Sequence, residues 1–241
     1  MEISIIIPVH NEKNKISRDI HATADFLNRH FESSEIIIVD DGSEDDTSTI
    51  AENTETLVSI GKKVIRYERQ RGKGFAVRTG MINSKGSIAM FMDSGLCVPL
   101  DYILRGLKLL YAGECDIAHG SRFLQESSIV KPHTRSRQIT SWIFRNLLAY
   151  LIRIPRHLTD TQCGFKMYSG EIARKLYSEC QTDGFMFDIE IILRAVRNEF
   201  TIKEFPIAWT ADHDSRLSQL RTPLHALSEL RRSEERRVGK E

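Results

Sequence analysis

The chain has 241 residues, 41% hydrophobic and 28% charged. That balance excludes a disordered chain, a collagen-like repeat and a disulfide-stapled mini-protein, and the length suits one substantial domain or two small ones. The formal net charge is +1, yet residues 1–126 hold 15 Lys/Arg and 19 Asp/Glu whereas residues 127–241 hold 19 and 14, which implies two working faces with the basic one in the second half.

Cys97, Cys115, Cys163 and Cys180 contain no C-x-x-C pair, so neither a zinc knuckle nor a thioredoxin-like centre is indicated, and reduced, mostly buried thiols in a cytoplasmic protein are expected. The N-terminus enters a strand-like run at once, so no signal peptide is expected. No stretch approaches the ~20 apolar residues that span a bilayer. The expectation is a chain that is soluble or lies on a membrane surface.

In chain order, Ile3–Val9 is a continuous apolar run, the mark of a strand covered on both faces. Ile16, Ile20, Ala24, Leu27 and Phe31 then recur at helical spacing. Glu35–Asp41 reads as a second buried strand ending in two carboxylates, with Gly42-Ser43 as the turn. Asp45 or Asp46 caps a helix predicted to run to about Ile60. Next come a strand over Lys63–Glu68, a helix over Gly74–Asn83, a strand over Ser87–Met92, a helix over Leu100–Tyr111 and a strand over Cys115–His119. This rhythm argues for an open, mainly parallel sheet with helices on both faces, whose ligands bind beyond the carboxyl ends of the strands. Those ends carry Glu12, Asp40-Asp41, Asp93 and Arg122.

Beyond Phe123 the pattern changes. Residues 127–159 contain no Asp or Glu but hold Lys131, Arg135, Arg137, Arg145, Arg153 and Arg156. Within them Ile139, Trp142, Ile143, Leu147, Tyr150, Leu151 and Ile154 form a helical stripe. Three readings stay open: a helix in a membrane interface, a helix packed on the sheet with a solvated basic edge, and a weaker nucleic-acid option without a recognised motif. Composition alone slightly favours the packed helix. A helix at about Phe187–Asn198 and a strand at about Thr201–Trp209 follow. An amphipathic helix is predicted from Thr222 and Pro223 through Leu224, Leu227 and Leu230, then a frayed polar tail.

From Ile3 to about Ser218 the chain resembles the family 2 glycosyltransferases of the GT-A fold, nearest to the dolichyl-phosphate and polyprenyl-phosphate glucosyltransferases. The resemblance rests on Ile-Ile-Ile-Pro-Val-His-Asn-Glu (5–12), Ile-Val-Asp-Asp-Gly-Ser (38–43), Arg-Gly-Lys-Gly-Phe-Ala-Val-Arg (71–78) and Asp-Thr-Gln-Cys-Gly-Phe-Lys (160–166). It implies a Rossmann-like GT-A domain over 1–218, with a nucleotide-sugar half (1–126), an acceptor half (127–218) and a terminal extension (219–241). The implied function is inverting transfer of a sugar, glucose from UDP-glucose, to a polyprenyl or dolichyl phosphate at the cytoplasmic membrane face.

The resemblance assigns Pro8, Glu12 and Asp41 to the donor pocket, and Asp40 is an even choice between that pocket and a helix cap. Gly72-Lys73-Gly74 lacks Walker spacing, but before a helix it offers N–H groups and an ammonium to phosphate, so Lys73, and less so Arg78, are donor-site candidates. Related enzymes carry Asp-x-Asp where this chain has Asp93-Ser94-Gly95, and many have Gln where it has Cys97. Hard Mg or Mn ions prefer oxygen ligands, so Asp93 is the metal candidate, Ser94 a donor contact, and metal binding is expected to be weaker than in the family. His213 could approach from the C-terminal segment as a rescuing ligand, although a lone histidine is more often structural or solvated. Arg122, Arg135 and Arg137 are candidates to clamp the acceptor phosphate. Asp160 and Gln162 match the motif near the reacting centre, in catalysis or positioning, and Asp188 reads as a helix-terminus carboxylate. Arg216 is a candidate to reach the diphosphate from the final segment.

Peripheral membrane contact is implied, nucleic acid is not, and self-association stays open. Three alternatives remain: a family 2 enzyme with a sugar-hydroxyl acceptor, a nucleotide-sugar-binding protein that lost catalysis with its second aspartate, and a membrane adaptor using residues 127–159.

Overall fold

The computed structural model describes residues 1–57, 59–131, 154–155 and 157–210. Arg135, Arg137, His213 and Arg216, most of the basic helical stripe and the predicted terminal helix lie outside the described residues.

Seven strands form the main sheet: β1 (Ile3–Val9), β2 (Ser34–Asp40), β3 (Ile60–Arg66), β4 (Ile88–Met92), β5 (Ile117–Ser121), β7 (Phe165–Ser169) and β8 (Ile202–Pro206). Their order is β3-β2-β1-β4-β7-β5-β8. All pairs are parallel except those of β7, which runs antiparallel between β4 and β5. A second, two-stranded parallel sheet joins β6 (Ser128–Lys131) to β9 (Ala208–Thr210). The helices are α1 (Ile16–His30), α2 (Thr47–Asn53), α3 (Lys73–Asn83), α4 (Tyr102–Tyr111), α5 (Gly170–Glu179) and α6 (Phe187–Arg197).

The two faces of β1 explain its unbroken apolar run. Ile3, Ile5 and Ile7 pack with Ile16, Ile20 and Leu27 of α1, while Ile6 packs on the other side with Val77 and Met81 of α3. Burial on both faces is what a central parallel strand requires, and it leaves no polar position in the pattern. Ile154, the last residue of the basic stripe, is itself buried in the second of these cores.

The helix predicted to reach Ile60 stops at Asn53, and β3 begins at Ile60, earlier than the predicted Lys63. Pairing with β2 sets this boundary, because Ile60 is opposite Ser34 in a register that runs to Asp40 and Arg66. Lys62, on β3, then donates its ammonium to the carbonyls of Ala51 and Glu52 at 2.8 Å each, and also to that of Thr54, which satisfies the end of α2. The strand predicted over Thr201–Trp209 divides at Ile207: β8 stays in the main sheet and β9 leaves for the small one. Strands β6 and β7 and helix α5 are absent from the sequence reading.

The strand order reverses between β1 and β4, since the chain steps outward from β1 to β2 and β3 before returning to β4 on the other flank. Crevices beyond the carboxyl ends of such strands are where open α/β sheets bind ligands. Pro8 sits two residues past the last β1–β4 pair, Ile6 with Phe91, so its missing N–H costs no ladder bond there.

Candidate active site

Residues at the tips of β1, β2 and β4 and the start of α3 meet at this reversal. Asp41 follows β2, and its two carboxylate oxygens accept the backbone N–H groups of Arg71 (2.7 Å) and Gly72 (2.9 Å). It is nearly buried, and it locks the loop that starts α3. Asp40 takes the neighbouring Ser43 N–H at 2.9 Å and is wholly buried, so it forms the 40–43 turn rather than a helix cap. Glu12 pairs with Lys15 at 3.2 Å, and its backbone N–H donates to the Thr47 hydroxyl. His10 donates from Nδ1 to the Asp41 carbonyl at 3.0 Å, tying β1 to β2 at the crevice.

Lys73, the first residue of α3, reaches Asp93 at the end of β4 with Nζ 2.5 Å from the carboxylate. Burial pulls its ammonium down, but the attractions of Asp93 and Asp188 outweigh that and hold it above the ordinary lysine range. Arg78, one candidate for the donor, turns instead to the loop before α6, where it binds the Cys180 carbonyl and the Asp183 carboxylate. It latches that loop across α3.

The turn after Asp93 belongs to α1. Asp19 is fully buried and accepts the Ser94 hydroxyl at 2.8 Å and the Gly95 N–H at 2.6 Å. Gly95 has φ +100°, where L side chains rarely fit. The backbone of this turn thus disfavours a carboxylate-bearing side chain at position 95. As for a divalent cation, Asp93 is already paired with Lys73, and no group of three His, Cys, Asp or Glu side chains gathers among the described residues. By themselves the described residues do not form a Mg or Mn site.

The opposite wall is the 159–164 segment, held from three strands. Arg122, after β5, grips Asp160 through Nε (2.7 Å), a second guanidinium nitrogen (2.8 Å) and its backbone N–H (3.0 Å). Burial acts to raise the Asp160 carboxyl, but the guanidinium overrides it and holds the group below the usual aspartate range. Burial acts to lower Arg122 in turn, and Asp160 raises it. The guanidinium carbon also lies 5.6 Å from the centre of the Phe123 ring and 5.3 Å from that of Trp209, within cation–π range of both. Glu204 of β8 accepts the backbone N–H groups of Thr159 (2.8 Å) and Asp160 (2.7 Å). Gly164 accepts the Asp93 N–H at 3.0 Å and lies so close that an added Cβ would be 2.1 Å from the Asp93 carboxylate. Gln162 is exposed, with its amide 3.9 Å from the Met186 sulfur.

Asp188 makes a buried ion pair with Lys166 instead of serving only the end of α6. Burial raises its carboxyl, and Lys166 and Lys73 pull the other way. All four cysteines are free, three of them buried, and burial pushes the Cys163 thiol far up, out of the reactive range.

The structure therefore brings together Asp41, Lys73, Asp93, Arg122 and Asp160 of the expected set, leaves Pro8 near the end of β1 and Glu12 in the turn after it, and turns Ser94 toward α1. Sequence reasoning missed Asp19, Glu204 and Lys166. Asp19 carried a usable signal: it is three residues from Ile16 and next to Ile20, a carboxylate beside the apolar stripe of α1. Glu204 carried none, since only the pairing of β8 with β5 brings it to Asp160.

The chain is similar to several known proteins. The chain is 30% identical over 229 residues to a dolichyl-phosphate beta-glucosyltransferase of Drosophila melanogaster, covering 90% of this chain and 70% of that protein. It is 29% identical to the Saccharomyces cerevisiae enzyme of the same name over 86% of this chain and 66% of that one. Glycosyltransferase AglD of Haloferax volcanii is 26% identical over 97% of this chain, which spans only 37% of AglD. In fold, glucosyl-3-phosphoglycerate synthase from Mycobacterium tuberculosis, solved with Mn2+, UDP-glucose and phosphoglyceric acid, matches with a TM-score of 0.72 at 21% identity, over 95% of this chain and 78% of that one. That likeness makes the fold GT-A. The model of the Glycosyl transferase family 2 matches residues 4–177, and with the switch-point site in place the chain belongs to that family.

Proposed function

We propose that the chain transfers glucose from UDP-glucose to a polyprenyl phosphate by direct displacement with inversion. An acceptor phosphate oxygen bonds to the anomeric carbon, the bond from that carbon to the diphosphate breaks, and the electron pair leaves with UDP. One observation carries the reading of the acceptor: each described carboxylate lining the site is already engaged. Asp41 holds backbone amides, Asp93 holds Lys73 and Asp160 holds Arg122. None is presented as a spare general base. An acceptor that arrives ionised needs only placement and charge neutralisation, whereas a sugar hydroxyl needs its proton removed.

In this reading Pro8, Glu12 and Asp41 border the nucleoside, Lys73 and the α3 N-terminus neutralise the departing diphosphate, and Arg122 presents its free edge to the acceptor phosphate, with Arg135 and Arg137 as further clamps. Asp160 orients Arg122, and Gln162 contributes hydrogen bonding. The relatives named for dolichyl-phosphate glucosylation support the lipid acceptor and the sugar. A divalent cation takes a lesser part than Lys73, because the described residues offer it one carboxylate that is already paired.

Among the described residues no helix is long and apolar enough to cross a membrane. Peripheral contact with a membrane is supported by exposed Phe123, just before the acid-free 127–159 segment, and exposed Ile129 and Val130 within it. The test is a transfer assay with labelled UDP-glucose, offering polyprenyl phosphate or free glycans, with manganese or with chelator. Labelled lipid with little dependence on manganese is the expected result. Tight UDP binding with no product on either acceptor favours the binding protein that Gly95 suggests, and product on glycans alone sinks the lipid acceptor.

A further inference from the structure

Lys166 stands in the middle of the sheet on β7, between β4 and β5, and is fully buried. Its ammonium donates to the Asp188 carboxylate, from the first turn of α6, and to the Thr161 carbonyl at 2.8 Å. Asp188 is buried as well. On β4 the Phe91 ring has two ammonium groups near it, Lys166 at 5.8 Å and Lys73 at 5.9 Å from its centre. Asp93, Lys73, Asp188 and Lys166 thus alternate in charge from the crevice inward.

A buried ion pair is a poor device for stability alone. Desolvating two charges costs about what their attraction returns, and apolar residues of similar volume often serve as well. What an apolar pair cannot do is hold a backbone carbonyl. The carbonyl held here is that of Thr161, inside the segment that takes Asp160 to Arg122 at one end and sets Gly164 against Asp93 at the other.

We propose that Lys166 and Asp188 are positioning residues that fix the 160–164 segment against Lys73, and so set the distance between donor diphosphate and acceptor phosphate. The proposal rests on the transfer reading above, and its chemistry is that of a spacer: neither residue touches substrate.

The test compares the full chain with Asp188→Asn and with the double variant Lys166→Met/Asp188→Leu. The single variant leaves an uncompensated buried ammonium and should melt lower than the parent. The double variant should melt cooperatively, above the single variant, and keep its UDP affinity. Its amides over 160–164 should nevertheless exchange with solvent markedly faster, and its kcat should fall roughly 100-fold with KM for UDP-glucose nearly unchanged, the signature of misplacement. A double variant with parental melting, parental exchange and parental kcat overturns the proposal. So does one that no longer melts cooperatively, because the pair is then a stability element. Should the parent transfer no sugar, the functional reading fails, while the exchange difference over 160–164 still decides the role of the pair.

Discussion

His119 is buried on β5 with neither ring nitrogen hydrogen-bonded, flanked by Lys166 on β7 and Glu204 on β8 and edge-on to Tyr168. Burial, then the charge of Lys166, keeps its imidazole well below the ordinary histidine value of 6.5. The unfolded chain therefore takes up a proton that the folded chain refuses. Its contribution to stability is complete above about pH 6.5 and is lost as pH falls, at up to about 1.4 kcal/mol per pH unit. Denaturant unfolding at about pH 7.5 and 5.5 should show this loss in the parent, and a His119→Phe variant should show less of it. Gly164 makes a sharper point about placement. A Cβ at this position would lie 2.1 Å from the Asp93 carboxylate, so Gly164→Ala must push Asp93 off Lys73, and we expect transfer to fall by 10-fold or more, on the order of what a 1 Å displacement costs. Activity equal to the parent in that variant, at equal melting temperature, would remove Asp93 from the mechanism.

At the scale of elements, the turn after β4 is held by a helix far from it in sequence. Asp19 of α1 receives both the Ser94 hydroxyl and the Gly95 amide. Asp19→Ala should cost about 1–3 kcal/mol in denaturant unfolding, because a buried N–H and O–H lose their acceptor, and it should weaken UDP binding by freeing the strand tip. A stable variant with parental UDP affinity would detach this turn from the donor site. Gly95→Asp bears on the same turn. The φ of +100° disfavours any L side chain there, so the substitution is expected to lower the melting temperature without creating strong manganese dependence. A large manganese-driven gain in UDP affinity, read by calorimetry, would show that the turn can re-form as a metal site.

At the scale of the whole molecule, charge is divided between the halves, and the surplus of Lys and Arg begins where the acidic residues stop, after Glu126. A peripheral contact built on such charge should be salt-sensitive, since screening at about 0.15 M ionic strength acts over ~8 Å. Sedimentation with anionic vesicles should retain the chain at low salt and release it at high salt, and binding indifferent to salt would assign the contact to apolar residues such as Val130 and Phe123. The sequence by itself determined the parallel half of the sheet, because strands buried on both faces must read as unbroken apolar runs and their ends must expose the polar residues that follow. It also placed Asp41, Lys73, Asp93, Arg122 and Asp160 at those ends or within a recognisable motif. Only the tertiary structure decided their partners. Lys73 meets Asp93, and Arg122 closes on Asp160 with Glu204 behind it, through contacts between residues 20 to 44 positions apart in sequence. The antiparallel insertion of β7, which makes Lys166 an interior cation, left no trace in local periodicity. A single ionic residue in a short strand looks the same whether it faces water or a buried carboxylate, and long-range pairing alone chooses between the two.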